Sequence, residues 1–161
     1  MKIRGVKFSD FDELVKIYDW YVRNTTSTLD LNIPNRNTFL ELYRKSIHND
    51  LPFLVAEVNG KVVGYAYAYP FVARCFINPI PKIAAFVFYI SKDHTSLGIG
   101  TAFLNEVNSQ IDPRKWSRVI AYLNTTNLES TAFFEKQIRE RKMRKVCIIP
   151  NAAYKKQKWH E

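Results

Sequence analysis

The chain has 161 residues, of which 47% are hydrophobic and 14% aromatic, and its formal net charge is +9. This is enough apolar material for one domain with a core, and it excludes a disordered chain. No apolar run is long enough to span a bilayer, and two cysteines, Cys75 and Cys147, are too few for a disulfide framework or a zinc cluster. Met1-Lys-Ile-Arg lacks the apolar core of a signal peptide, so a cytoplasmic protein without membrane or metal partners is expected.

Lys2 to Phe8 alternates apolar and basic residues and predicts a first strand. Ser9 then caps a helix whose apolar stripe is Phe11, Leu14, Val15, Tyr18 and Val22. Asn24-Thr-Thr-Ser-Thr28 and Pro34 interrupt it, and Thr38-x-x-Glu41 has the pattern of a capping box opening a second helix. Two apolar runs, Phe53–Val58 and Lys61–Tyr69, flank Asn59-Gly60, the pattern of a hairpin with a type I′ turn. Tyr65, Tyr67 and Tyr69 share one face of the second run by period two. Pro70 ends the second run, and Pro79 and Pro81 mark the next stretch as loop.

Five consecutive apolar residues, Phe86-Val-Phe-Tyr-Ile90, predict a strand covered on both faces. A polar loop follows, and from about Gly98 the spacing of Ile99, Phe103 and Val107 is helical. Beyond Pro113, Arg118–Leu123 predicts a strand, Asn124-Thr-Thr-Asn127 a turn and N-cap, Leu128–Lys142 a helix, and Val146–Ile149 a last strand. The resulting order, β-α-α-β-β-β-α-β-α-β, implies a single α/β domain over residues 1–161. It is built on a mixed sheet with helices on both faces.

The chemistry in this pattern concentrates at Gly98-Ile-Gly100. A helix start leaves its first amides without intrahelical partners, its dipole favours an anion, and glycine lets a phosphate approach the backbone. The glycine pair alone also describes an ordinary helix start. Position 103 is Phe, so the longer dinucleotide fingerprint is missing, and no lysine follows Gly100 as a P-loop requires. At residues 139–161 the chain is basic: between Arg139 and Lys158 eight Lys and Arg face one acid, Glu140. Such an end attracts polyanions or simply keeps the chain soluble.

In order and spacing these residues resemble the GNAT acyl-CoA N-acetyltransferases, and within them the phosphinothricin-type branch. The similarity runs from about Ile3 to Lys136. It includes Asn24-Thr-Thr-Ser-Thr28, Leu54–Ala66, Pro70-Phe-Val-Ala-Arg74, Phe88-Tyr-Ile90, Gly98-Ile-Gly100 and Asn127-x-x-Ser130. The resemblance implies a GNAT fold with splayed middle strands and acetyl-CoA as co-substrate, held by Phe88, Tyr89 and Ile90 and by the loop Thr95, Ser96, Leu97, Gly98, Ile99, Gly100 and Thr101. Asn127 and Ser130 would border the thiol end, Arg74 would bind the acceptor's carboxylate, and relatives commonly pair as homodimers.

The chain departs from that pattern at chemical positions. The strand glutamate of the phosphinothricin branch reads Ala85, the acid tyrosine of other members reads Phe134, and the pyrophosphate loop opens on Thr95-Ser96 rather than Arg or Gln and glycine. Only the free amine attacks a thioester, so one proton must leave, and a water chain or Tyr122 is the candidate carrier. His94 reads as a polar loop residue, and His48 and His160 as surface residues. The expected activity is acetyl transfer to the primary amine of a small, amino-acid-like molecule. The positive charge disfavours polyamine acceptors. The alternatives are a GNAT-fold acyl-CoA-binding module without catalysis and, ranked last, nucleic-acid binding through the basic end.

Overall fold

Asn59 and Gly60 carry φ of 50° and 76°, the two left-handed residues that a type I′ hairpin turn demands. They join β2 (Phe53–Val58) to β3 (Lys61–Pro70) at the centre of a five-stranded sheet. The computed structural model describes residues 1–71, 82–140, 142–150 and 152–160. The sheet order is β1 (Lys2–Gly5), β2, β3, β4 (Lys82–Ile90), β5 (Trp116–Ile120). Neighbours are antiparallel except β4 and β5, which are parallel and joined through α3 (Ile99–Gln110). This is the mixed sheet that the element order implies.

The described residues group into two compact units, residues 1–17 with 34–122, and 18–33 with 123–161. The first contains the whole sheet. Phe53, Leu54, Val55 and Ala56 are all buried, so helices cover both faces of β2. On one face Phe53, Tyr65 and Tyr67 stack, and Phe39 of α2 (Arg36–His48) meets the Tyr65 ring edge-on at 5.6 Å. On the other, Gly64, Ala66, Ala68 and Ala84 are small, which lets α3 lie close over β1 to β4 through Phe103 and Val107. A Cβ on Gly64 would stand 3.0 Å from the Tyr89 carbonyl oxygen of β4, so any larger residue there presses on the neighbouring strand. Trp116 is buried at the start of β5, with the Lys82 ammonium 5.8 Å from its ring centre.

An ion-pair cluster ties β1 to the helix that follows. Arg4 donates to Asp10 at 2.7 and 3.0 Å and to Glu57 of β2 at 2.8 Å, and the Lys7 amide donates to Asp10 Oδ2 at 2.7 Å. Burial pushes the Asp10 carboxyl up, but the Arg4 guanidinium and the Lys7 amide outweigh it and hold it below the ordinary carboxylate range.

Several sequence expectations shift. The first strand stops at Gly5, and a 3-10 turn at Phe8–Asp10 precedes α1 (Phe11–Asn24). Asp10 rather than Ser9 organises that entry, because its carboxylate takes the Lys7 amide. Asn35, not Thr38, caps α2, its side-chain oxygen accepting from the Thr38 amide at 3.1 Å. β5 ends at Ile120 rather than Leu123.

In the second unit, Asn127 caps α4 (Leu128–Arg139) as expected from its sequence, accepting from the Ser130 amide at 3.2 Å. The last strand is corrected: Val146–Ile149 has no regular structure and is exposed, whereas β6 (Ala153–Lys155) and β7 (Lys158–His160) form a separate antiparallel hairpin. Its turn residues, Lys156 and Gln157, carry φ of 52° and 60°, left-handed positions occupied without glycine. Gln157→Gly is expected to raise the unfolding free energy by about 0.5–1 kcal/mol through relief of that strain. A thermal melt would register this as a rise of about 1–4 °C.

Candidate active site

β4 pairs with β3 along its whole upper length, from Pro70↔Ala84 to Gly64↔Ile90. Its parallel ladder with β5 runs only from Lys82↔Trp116 to Ala85↔Ile120. Residues 86–90 of β4 therefore extend past the end of that ladder. Phe88 pairs with Ala66 and Tyr89 with Tyr65, so their side chains fall on opposite faces of the sheet.

At the end of β4 the Ser91 amide donates to Val63 O at 2.7 Å, and a 3-10 turn, Lys92–His94, follows. The chain then takes two left-handed steps, Ser96 at φ 63° and Gly98 at φ 76°, before α3 begins. The first bond into α3 is from the Ala102 amide to Gly98 O at 3.0 Å. The amides of Ile99, Gly100 and Thr101 therefore precede the helical ladder and belong to its positive end.

A Cβ built on Gly98 meets nothing within 4 Å among the described residues, so the outer side of this cap is unobstructed. Ser96, Leu97 and Gly98 are exposed, while Ile99 and Gly100 are buried and fix the helix start. His94 Nδ1 is buried with no hydrogen-bond partner among the described residues. Amides outside the helical ladder behind an αL cap fit a phosphate-bearing group.

The other predicted residues divide between the units. Tyr122 lies beyond the end of β5, 58% exposed, with its ring 6.0 Å from that of Phe71. Arg74 falls outside the described residues. Ala85 is fully buried in the last β4–β5 pair, and Phe134 is buried in α4. Asn127 and Ser130 belong to the second unit, where the Asn127 side-chain Nδ2 also donates to Ser27 Oγ.

Sequence reasoning missed a polar cluster in that second unit. Lys155 is 4% exposed and donates from Nζ to Thr28 O at 2.7 Å. Burial, helped by Lys156 and opposed by Asp30, pulls its ammonium below the ordinary lysine range. His160, expected at the surface, is 7% exposed, with Nε2 2.9 Å from Lys155 O and Nδ1 3.3 Å from Thr126 Oγ1. Tyr18 completes the set, hydrogen-bonding Thr28 Oγ1 and donating to Asp30 at 2.7 Å. The threonine-rich stretch 24–28 was the available signal: it has backbone and hydroxyl oxygens to offer, and the lysine run supplies donors.

The sequence profile of the Acetyltransferase (GNAT) family matches residues 14–138. The chain belongs to the GNAT acetyltransferase family. Its relatives include the phosphinothricin N-acetyltransferase of Alcaligenes faecalis, 28% identical over 74% of this GNAT chain. That match spans 59% of the Alcaligenes protein, less than two thirds of its length. The phosphinothricin N-acetyltransferase of Streptomyces viridochromogenes is 24% identical over 84% of the chain and 72% of its own length. Among solved structures, the ribosomal-protein-alanine N-acetyltransferase of Brucella melitensis superposes with a TM-score of 0.86 at 25% identity, covering 99% of this chain and 94% of that one. A phosphinothricin acetyltransferase of Sinorhizobium meliloti, solved in complex with acetyl-CoA, gives 0.80 at 22% identity over 99% and 83%. The GNAT fold and the phosphinothricin-type branch thus agree with the sequence resemblance.

Proposed function

We propose that this GNAT protein transfers an acetyl group from acetyl-CoA to the primary amine of a small, amino-acid-like molecule. The observation that carries the reading is the start of α3: amides unused by the helix, behind an αL glycine whose outer side is unobstructed, beside the end of β4. In this reading the amides from Ser96 to Thr101 hold the coenzyme pyrophosphate, and the β4 backbone at Phe88–Ile90 lies along the pantetheine. Acetyl-CoA supplies the activated acyl group. The protein aligns the acceptor, which can contribute about 7–11 kcal/mol, far more than a general base working at about 10²–10⁴-fold.

With alanine at position 85, Tyr122 and water carry the amine proton, and Arg74 binds an acceptor carboxylate. The assignment of Asn127 and Ser130 to the thiol end rests on the family resemblance alone. The protein works in the cytoplasm as a homodimer in this reading.

Millimolar acetyl-CoA is expected to raise the melting temperature. At a hundredfold excess over Kd the stabilisation is about 2.7 kcal/mol, or roughly 5–11 °C for a chain of this size. An unmoved melting curve overturns the proposal. Release of free CoA thiol with an amino-acid panel then tests turnover, and an unchanged pH–rate profile in Tyr122→Phe removes Tyr122 from the chemistry. Binding without turnover favours a second reading, an acyl-CoA-binding module, which the buried Ala85 supports because it brings no carboxylate to that strand.

A further inference from the structure

Tyr69 stands beside the base of the fork where β4 parts from β5. Ala85 is the last residue of β4 with a partner on β5, Ile120, and its partner on β3 is Tyr69. Directly opposed residues on neighbouring strands have Cβ atoms about 4.5–5.5 Å apart, so Tyr69 and Ala85 share one face of the sheet. Phe39 of α2 meets Tyr65, and Tyr65, Tyr67 and Tyr69 follow one another along that face, with ring centres 6.4 and 5.8 Å apart. This is the α2 face, whereas α3 lies over the other. Ala85 is fully buried and has no polar side-chain atom. From Lys61 to Lys92 the sequence contains no Asp, Glu or His, so neither strand brings a carboxylate or an imidazole to this place.

Tyr69 is half-buried, and no described residue hydrogen-bonds its hydroxyl. Burial pushes that hydroxyl above the ordinary tyrosine range, so near neutral pH it is a phenol whose oxygen can accept a hydrogen bond. The face of the ring is occupied. Lys45 Nζ of α2 stands 5.6 Å from its centre, where a cationic ligand would otherwise sit. Lys45 is exposed and has no ion-pair partner among the described residues. A molecule arriving here meets a neutral oxygen and a cation without a counter-ion, side by side. In the acetyl-CoA reading, on which this inference rests, the coenzyme reaches the fork from the start of α3, which leaves the α2 face to the acceptor.

We propose that Tyr69 binds the acceptor amine, and that Lys45 beside it binds an acid group on the same molecule. The phenol oxygen accepts an N–H from the amine, which leaves the nitrogen lone pair free for the thioester. The C–N bond forms, and the C–S bond breaks with its electron pair going to sulfur. The surplus proton on nitrogen departs through water and Tyr122, so Tyr69 orients the amine and does not itself titrate. An amine that carries an acid group is favoured over a polyamine, whose further charges Lys45 repels.

The test is release of CoA thiol from acetyl-CoA with L-amino acids, each measured beside its own carboxamide, which keeps the amine and removes the acid group. Tyr69→Phe keeps the ring contacts with Tyr67 and Lys45. It should melt with the parent, bind acetyl-CoA equally in isothermal titration, and lose about ten- to a hundred-fold in kcat through misplacement of the amine. Lys45→Met should shrink the acid-to-carboxamide ratio of kcat/KM about three- to five-fold, the scale of an exposed ion pair. Comparing that ratio between parent and variant cancels the different basicities of the two amines. A parent-like kcat in Tyr69→Phe overturns the proposal, and so does a ratio that survives Lys45→Met. No thiol release from any pair, in a protein that acetyl-CoA stabilises, overturns it too and leaves the coenzyme reading standing. A melting curve that acetyl-CoA leaves unmoved is the separate failure of that reading, and removes this site with it.

Discussion

Asp10→Asn is expected to cost about 3 kcal/mol of stability, the lower end of the range for removing one partner of a buried ion pair. Asp10 is 6% exposed, and its carboxylate accepts from Nη1 and Nη2 of Arg4 and from the Lys7 amide. Asparagine keeps the shape but has one acceptor oxygen and no charge, so Glu57, at 2.8 Å, is the one carboxylate left to the guanidinium among the described residues. In a chain of this size the loss lowers the melting temperature by about 6–12 °C. The pH dependence gives an independent check. The folded Asp10 carboxyl titrates below its ordinary value, so the unfolded state takes up the proton first as pH falls. The contribution is complete above about pH 4, the value for an unfolded aspartate, and is lost as pH drops through the folded pKa. The Asn variant should therefore show a shallower acid limb in plots of stability against pH. Equal acid limbs in parent and variant would assign acid unfolding to other groups.

Gly98→Asp is expected to weaken acetyl-CoA about ten- to a hundred-fold while leaving the fold in place. The position has φ 76° and open space around its Cβ, and aspartate is among the few side chains that tolerate the left-handed region. Its carboxylate would take up the amides of Ile99, Gly100 and Thr101, the donors assigned to the pyrophosphate. Displacing charge-assisted hydrogen bonds of about 1.5–3 kcal/mol gives that range of affinity. Isothermal titration of acetyl-CoA into both proteins measures it. If Kd is unchanged and the melting curve is preserved, the coenzyme does not sit on the start of α3.

Local chemistry made some of this readable in the sequence, and tertiary partners hid the rest. Asn59-Gly60 announces its own turn because both residues accept positive φ. The Gly98–Gly100 pair likewise marks the break between β4 and α3. Lys156-Gln157 turns the chain with the same backbone signs, yet neither residue type signals a turn, so the second hairpin went unseen. Val146-Cys-Ile-Ile149 has the composition of a buried strand but is exposed in the structure, at 79%, 44% and 60% for Val146, Ile148 and Ile149. Hydrophobic runs report strand propensity, while pairing depends on an available edge. Burial of Lys155 was invisible for a related reason. It depends on the carbonyl of Thr28, far away in the chain, and nothing near Lys155 in sequence records that partner.

The tryptophans give the molecule a built-in optical assay. Trp116 is enclosed within the sheet unit and Trp159 is exposed on the hairpin of the other, so an aqueous quencher such as iodide reaches one indole and spares the other. With the third, Trp20, replaced by phenylalanine, emission wavelength and quenching separate the two reporters. Coincident midpoints would mean that both units melt in one cooperative step, and divergent ones that the hairpin unit opens on its own.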